Sequence, residues 1–470
     1  MAIGALSMWH RQSPDQSLRA VSVPAVPTPE RDSHYFHAVA HYCHSLKLQS
    51  QGASVQDAVF LSLLLLFFEA LRGNRKAALD HVNHGLALIL NLLTDANTQS
   101  LIADVAPNPK PLIAAVADIF THLATQARIV FRGRVGHGPP LPNLAKGLKS
   151  KQHTMESFLV LLSQLPRPNT TTSRIPTAFK TFDEFEQHWD AARRRQTSLT
   201  RLMTDLMRDH GALDSHDPAT IVTFYQTLLH HPRILAFCTA TRSTLQALDT
   251  ALLPLFHTTL ATTPPTSPPH LRALHLRLQL LAVSLFDDAP QYASAAALAA
   301  RTPLFREHLA LAARAVRAAP AAATNPAQRL SLQCGLAWSL LATALLCRDG
   351  DARAQAVALL RAYPAQDGVL SARALAALAA RSQGVEAAGV AEEEGGGAEE
   401  RWRRLCRREF VFEEGGERVV FRFLERDAAT GEWGPVEEVA EIGAEGEDVV
   451  WRRQPLTAEG GLLLGDLHAG

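Results

Sequence analysis

Aromatic residues make up only 6% of this 470-residue chain, and it has just five cysteines. Cys43, Cys238, Cys334, Cys347 and Cys406 are odd in number and widely scattered, which argues against a disulfide scaffold and suits reduced thiols in an intracellular protein. Charge of one sign is also missing, with 46 Lys and Arg against 46 Asp and Glu. No global field therefore draws the chain to nucleic acid or to an anionic membrane. Lysine is absent after Lys180 while arginine continues, which reads as a coding bias rather than a binding feature. The N-terminal stretch MAIGALSMWHRQSP lacks the basic and apolar regions of a signal peptide. The longest apolar run, residues 58–68 with Ser62 inside it, lies between Asp57 and Glu69 and falls short of the roughly 18 residues of a spanning helix. It reads as a buried helix. The sequon Asn169-Thr170-Thr171 has no expected secretory route to serve it.

Catalytic signatures are missing too: there is no G-x-S-x-G elbow, no P-loop, no G-x-G-x-x-G after a strand and no H-E-x-x-H. The expectation is a protein that is not an enzyme, with no catalytic, cofactor-binding or metal-ligating residue assigned. Four histidines, His34, His37, His41 and His44, fall on one face of a helix beside Cys43, a spacing that could hold zinc. No carboxylate stands by to orient them, so the face reads as exposed and polar, with Phe36, Val39, Tyr42 and Leu46 turned inward.

What is present is helical periodicity. Residues 55–71 are apolar nearly all round; Arg72-Gly73-Asn74 breaks the run, and Leu79, Val82, Leu86, Leu90 and Leu93 then recur at helical spacing. These predict an antiparallel helical hairpin. Further helices are expected over residues 111–131, 182–195, 221–229 and 241–253, with Thr181 or Asp183 capping the second of these. Pro254 leads to a Pro-rich loop over 262–269. Beyond it, LRALHLRLQLLAVSLF and PLFREHLALAARAV continue the pattern; in the latter Phe305, Leu309, Ala312 and Val316 share one face behind Thr302 and Pro303. Residues 384–400 are acidic and Gly-rich and read as a linker. EFVFEEGGERVVFRFLER, residues 409–426, then alternates apolar and polar about Gly415-Gly416, the signal of a β-hairpin.

The fold expected is mainly α, a solenoid-like multi-helical array of antiparallel helix pairs with a small C-terminal β-hairpin element. Its divisions are a helical domain over 1–383, the acidic linker over 384–400 and a hairpin tail over 401–470. Two charged clusters remain. Arg132, Arg134, His137, Lys146, Lys149 and Lys151 form a basic stretch without interleaved aromatics for base stacking. Arg401, Arg403, Arg404, Arg407 and Arg408 read as a nuclear-import signal or as balance for the acidic linker. Cys347-Arg348-Asp349 admits a reactive thiol beside a cation. The plainer reading packs Cys347 at the end of an apolar helix and leaves Arg348 and Asp349 to the turn.

Two segments carry a family resemblance. FFEALRGNRKAALDHVNHGLALI, residues 67–89, and LLCRDGDARAQAVALLRAYPAQDG, residues 345–368, resemble in order two signature stretches of the fungal-specific transcription factor regulatory domain. HLATQARIVF over 122–131 and the P-x-x-F-x-x-F-D-E pattern from Pro176 are similar to further pieces of it. Gly350 departs from the proline that the family prefers after C-R-D. The resemblance implies an all-helical regulatory domain that normally follows a zinc-cluster DNA reader. That reader needs six clustered cysteines, and only Cys43 precedes Cys238. The chain is accordingly expected to be a transcriptional regulator lacking its own reader, in the nucleus or else the cytoplasm. No cofactor is expected, and zinc would enter only if an upstream zinc cluster were missing from the gene model. Protein partners or a homodimer, a small-molecule effector, and DNA only indirectly are the expected contacts, with no membrane. The alternative is a helical scaffold for protein or ligand binding that does not act on DNA.

Overall fold

The computed structural model describes residues 33–50, 55–72, 74–94, 142–153, 157–158, 161, 174–211, 227, 230–286, 294–322, 330–331, 335–363, 366–367, 371–391, 397–406, 408–413, 416–427, 429–442 and 449–456. The helix expected over 111–131 and nearly all of that over 221–229 lie outside them. The protein is mainly α with a small C-terminal antiparallel sheet.

The N-terminal part is α1 (Ser33–Ser50), α2 (Val55–Arg72) and α3 (Arg75–Thr94). The predicted hairpin is α2 with α3, and its stripe is buried: Leu79, Val82, Leu86 and Leu90 are all 4% exposed or less. Asn74 starts α3, its side-chain oxygen accepting from the Ala77 amide at 3.2 Å. On α1 the inward side is Ala38 and Tyr42, which stacks on Phe68 at 4.6 Å and hydrogen-bonds His81 at 3.0 Å. Phe36 and Leu46, expected inward, are exposed instead: Phe36 falls off the i to i+4 stripe of Ala38 and Tyr42, and Leu46, which continues that stripe, is exposed beyond its packed part.

A short α4 (Pro142–Ser150) packs on α3, with Asn83 receiving the Leu144 amide at 3.0 Å. Next comes α5 (Phe182–Asp209), longer than predicted, with Thr181 as its cap: the Glu184 amide donates to the Thr181 hydroxyl and Glu184 accepts in return from the Lys180 amide. The helix expected to end at residue 253 runs on as α6 (Pro232–Thr262) through Pro254. Burial of Ala251, Leu252, Phe256 and Thr259 on both sides of the proline outweighs its missing amide. Polar cross-ties join α6 to α7 (Pro268–Phe286), α8 (Ala295–Ala299) being a single turn before α9 (Thr302–Ala322). Buried Arg277 of α7 pairs with Asp249 of α6 and with Glu307 of α9. Phe305, Leu309 and Ala312 of α9 are fully buried as the pattern predicted, and so is His308 beside them.

The C-terminal part is α10 (Ala337–Leu346), α11 (Gly350–Ala362), α12 (Ala372–Ala391) and α13 (Ala398–Cys406), with a short parallel pairing of β1 (Leu330–Ser331) and β2 (Gln366–Asp367). Residues 384–400, expected as a linker, are helical at both ends: α12 continues to Ala391 and α13 starts at Ala398. Val385 packs on the core and Glu386 forms ion pairs, so this stretch has tertiary partners that its composition does not disclose. The predicted hairpin is β3 (Glu409–Glu413) with β4 (Arg418–Arg426), extended to four strands by β5 (Trp433–Glu441) and β6 (Trp451–Gln454). Residues 419–423 of β4 are all buried rather than alternating. Phe421 and Phe423 join the helical core on one face, and on the other Arg422 faces its register partner Glu437 in a buried pair at 2.5 Å. One apolar core thus runs from α2 and α3 into the sheet.

Candidate functional site: a cavity beside a charge-clamped helix

The site is built around α10. Eight of its ten residues are buried, so neither terminus meets bulk water to satisfy its unpaired backbone groups. At the N-terminus Leu336 offers no side-chain cap, and Asp367 of β2 supplies one from across the fold. Its carboxylate accepts from the Ala337 amide at 2.7 Å and from the Tyr363 hydroxyl at 2.7 Å. Gly335 permits this approach, since a Cβ there would collide with that carboxylate. Burial pushes Asp367 up to about 6 despite both donors. Burial, followed by the nearby carboxylate, also holds the Tyr363 hydroxyl far above its ordinary value.

Three arginines serve the C-terminus. Arg348 donates to the Leu345 carbonyl at 2.9 Å and the Leu346 carbonyl at 3.1 Å; Arg353 donates to Ala344 at 3.0 Å, and Arg408 to Leu345 at 2.7 Å. Glu386 of α12 neutralises two of them, at 2.8 Å from Arg348 and 2.5 Å from Arg353. Burial opposes its charge, but Arg348, Arg353 and Arg408 outweigh that and hold its carboxyl below the usual range. A carboxylate at the amide end and guanidiniums at the carbonyl end both oppose the helix dipole, although at the amide end burial outweighs that attraction and raises Asp367.

Against the arginine end lies a cavity of about 410 Å³. Its apolar wall includes Trp402, Trp433, Phe421, Phe423 and Leu405. Arg348, Arg401, Arg404 and Arg408 with Glu386 and Glu399 supply its charges. Arg348 lies over the Trp402 ring at 4.4 Å and Arg404 over Trp433 at 4.7 Å. Glu399 accepts from the Ser294 hydroxyl and from the Ala295 and Ala296 amides, which docks α13 on α8. Ser382 is a hydroxyl in the wall, and its Oγ accepts from Arg408 at 2.9 Å, which draws electron density away from the oxygen. Of the cavity's rings Trp433 is half-buried while Trp402 and Phe421 are closed off, and a mainly apolar, partly charged cavity of this size is the kind that holds a small molecule.

The sequence candidates meet different ends. Cys347 is fully buried as the cap residue of α10, and burial raises its thiol pKa. Asp349 caps α11 through the Ala352 amide at 2.8 Å and pairs with Arg306. Arg348, expected merely to shape the turn, instead joins α10, Glu386 and the cavity. Arg401, Arg404 and Arg408 stand in the cavity wall rather than forming a loose basic string; the side chains of Arg403 and Arg407 lie outside the described ones. His37, His44 and Cys43 are exposed and His41 is half-buried. Among the described residues no group of three His, Cys, Asp or Glu is placed to hold a metal ion, and no helix is long and apolar enough to cross a membrane. Lys146, Lys149 and Lys151 are exposed at and just after α4. Glu386, Trp402, Trp433 and Asp367 went unmarked, because no local motif flags a residue whose partners lie on other elements.

Cys347→Ala is expected to cost about 1 kcal/mol and Cys347→Ser about 1 to 3 kcal/mol, because a hydroxyl costs more than a thiol to hold in a fully buried site. In the native protein the thiol should react slowly with a maleimide at neutral pH and quickly once unfolded. Rapid native labelling would contradict the burial.

The fold and cavity define a class: a helical array with a lateral ligand-sized pocket. Compared with protein-family models, curated proteins and solved structures, the chain matches none.

Proposed function

We propose that this chain is the regulatory part of a transcriptional regulator of the fungal zinc-cluster type, acting in the nucleus through protein partners or a second copy of itself. In this reading it is not an enzyme, and any DNA reader is supplied by another module. The observation that carries the reading is the position of Arg348. It belongs to the C-R-D-G segment that resembles the family signature, and it ties the end of a core helix to the wall of the cavity. A small-molecule effector seated there would touch the α10 clamp directly, which gives occupancy a route to the packing of α10, α11 and α12.

The test tethers the full chain to a heterologous DNA-reading domain upstream of a reporter gene and follows a tagged copy by microscopy. Nuclear accumulation with at least a threefold change in reporter output is expected. A chain that stays cytoplasmic and leaves the reporter unchanged would reject the reading in favour of a binding scaffold that does not act on DNA.

A further inference from the structure

We propose that Ser267, the residue before the first proline of α7, is a phosphorylation site for a proline-directed serine/threonine kinase, with the phosphate held at the N-terminus of α7. The inference goes beyond the regulatory reading, and its test uses purified protein. Kinases of this class read the proline that directly follows the acceptor, a residue with no amide hydrogen to satisfy. The chain has five such steps: Ser13-Pro14, Thr28-Pro29, Thr263-Pro264, Ser267-Pro268 and Thr302-Pro303. The first two lie outside the described residues.

Their surroundings separate the other three. A kinase holds its acceptor in an extended segment, so any flanking turn of helix must first open. Thr302 begins α9 just after the single turn of α8, and its hydroxyl donates to the Ala299 carbonyl at 2.8 Å. Thr263 caps the 31 residues of α6, and its hydroxyl donates to the Thr259 carbonyl at 2.6 Å. A phosphate on Thr263 would also meet the negative end of α6. Ser267 is half-buried, but Pro264, Pro265 and Thr266 before it are exposed and non-helical, and Pro268 and Pro269 after it are exposed as well. Opening α7 as far as Pro269 breaks no bond of an amide on either proline, since neither has one. The first bond lost is that from the Leu271 amide to the Ser267 carbonyl, at 3.1 Å.

In the transfer the Ser267 Oγ attacks the γ-phosphorus of ATP. The new O–P bond forms as the bond to the bridging oxygen of ADP breaks, and the hydroxyl proton passes to the kinase's general base. The esterified oxygen cannot donate, so the bond from the Ser267 hydroxyl to the Pro264 carbonyl, 2.7 Å, is lost, while the Ser267 amide keeps that carbonyl at 3.0 Å. The phosphate gains a donor in exchange. The His270 amide stands three residues on, where a cap residue's acceptor is received, and it has no hydrogen-bond partner among the described residues. Arg314 of α9 reaches His270 Nε2 at 3.5 Å, which brings a guanidinium to this end of α7. Asp183 and Glu186, the carboxylates that touch α7 in its second turn, are paired with Arg272. A dianion on Ser267 is therefore held by the positive end of α7.

The native full chain is incubated with a cyclin-dependent kinase, its cyclin and MgATP; incorporation is followed by intact mass and assigned to residues by peptide fragmentation. Expected is phosphate on Ser267 at least fivefold faster than on Thr263 or Thr302. Pro268→Ala, which puts a good helix former at the first helical position, should slow labelling of Ser267 at least tenfold. No phosphate on Ser267, equal rates at the three steps, or undiminished labelling in Pro268→Ala would each overturn the proposal. Phosphorus NMR of the modified protein tests the second half: the second pKa of a phosphoserine, about 6 when exposed, should lie at least about 0.3 lower in the native protein than in the urea-unfolded chain. An equal or higher native value would overturn the placement of the phosphate at the end of α7.

Discussion

Glu386→Gln should destabilise the protein by about 3 to 5 kcal/mol, measured by urea unfolding at pH 7. The substitution keeps the shape of the side chain and removes the charge that faces Arg348 and Arg353, whose side chains are only 13% and 10% exposed. Those guanidiniums still meet the carbonyl end of α10, worth about half an elementary charge, which is less than the full charge removed. A double-mutant cycle with Arg348→Met should show coupling of at least about 1 kcal/mol, since the two side chains are in direct contact. A loss below about 1 kcal/mol in the single variant would mean that the helix end suffices to neutralise the arginines. Acidification gives a parallel result: with its carboxyl held below the ordinary range, Glu386 contributes stability above the unfolded value, and that contribution disappears as pH falls through the folded one.

Two buried groups with opposite slopes should make the pH dependence of stability separable by mutation. His308 is wholly buried, neither ring nitrogen has a hydrogen-bond partner among the described residues, and burial lowers its pKa to about 4. Its folded value lies below the unfolded one, so its share of stability is complete above about 6.5 and is lost as pH falls towards 4, a change of about 3 kcal/mol. Asp367 runs the other way. Its value is raised from 3.8 to about 6, so its share is complete below 3.8 and about 3 kcal/mol of it is lost as pH rises through 6. Between pH 4 and 6 the two slopes cancel. Relative to wild type, His308→Leu should therefore gain about 3 kcal/mol on going from pH 6.5 to 4, and Asp367→Asn should lose about as much between pH 6 and 4. Stability profiles that run parallel to wild type would show that neither group titrates as its burial dictates.

The sequence by itself determined the helical character of the protein, because a stripe such as Leu79, Val82, Leu86 and Leu90 must be buried and its spacing matches only a helix. It also located the α2–α3 turn, the buried face of α9 and the β3–β4 hairpin, and it narrowed the α5 cap to Thr181 or Asp183, since each depends on residues within a few positions of one another. Tertiary structure decided the rest. Pro254 reads as a helix end until Phe256 and Thr259 are seen to be buried beyond it. Residues 384–400 read as solvated linker until Glu386 is seen beside Arg348 and Arg353. The clamp on α10 joins Asp367, thirty positions downstream of the amide it caps, with Arg408, sixty-three positions beyond the carbonyl it serves. Electrostatic compensation of a buried helix acts through space at hydrogen-bond distance, and it imposes no spacing along the chain. The cavity follows the same rule: its tryptophans and arginines come from α10's end, α13 and the sheet, and only the packing of those elements makes them neighbours.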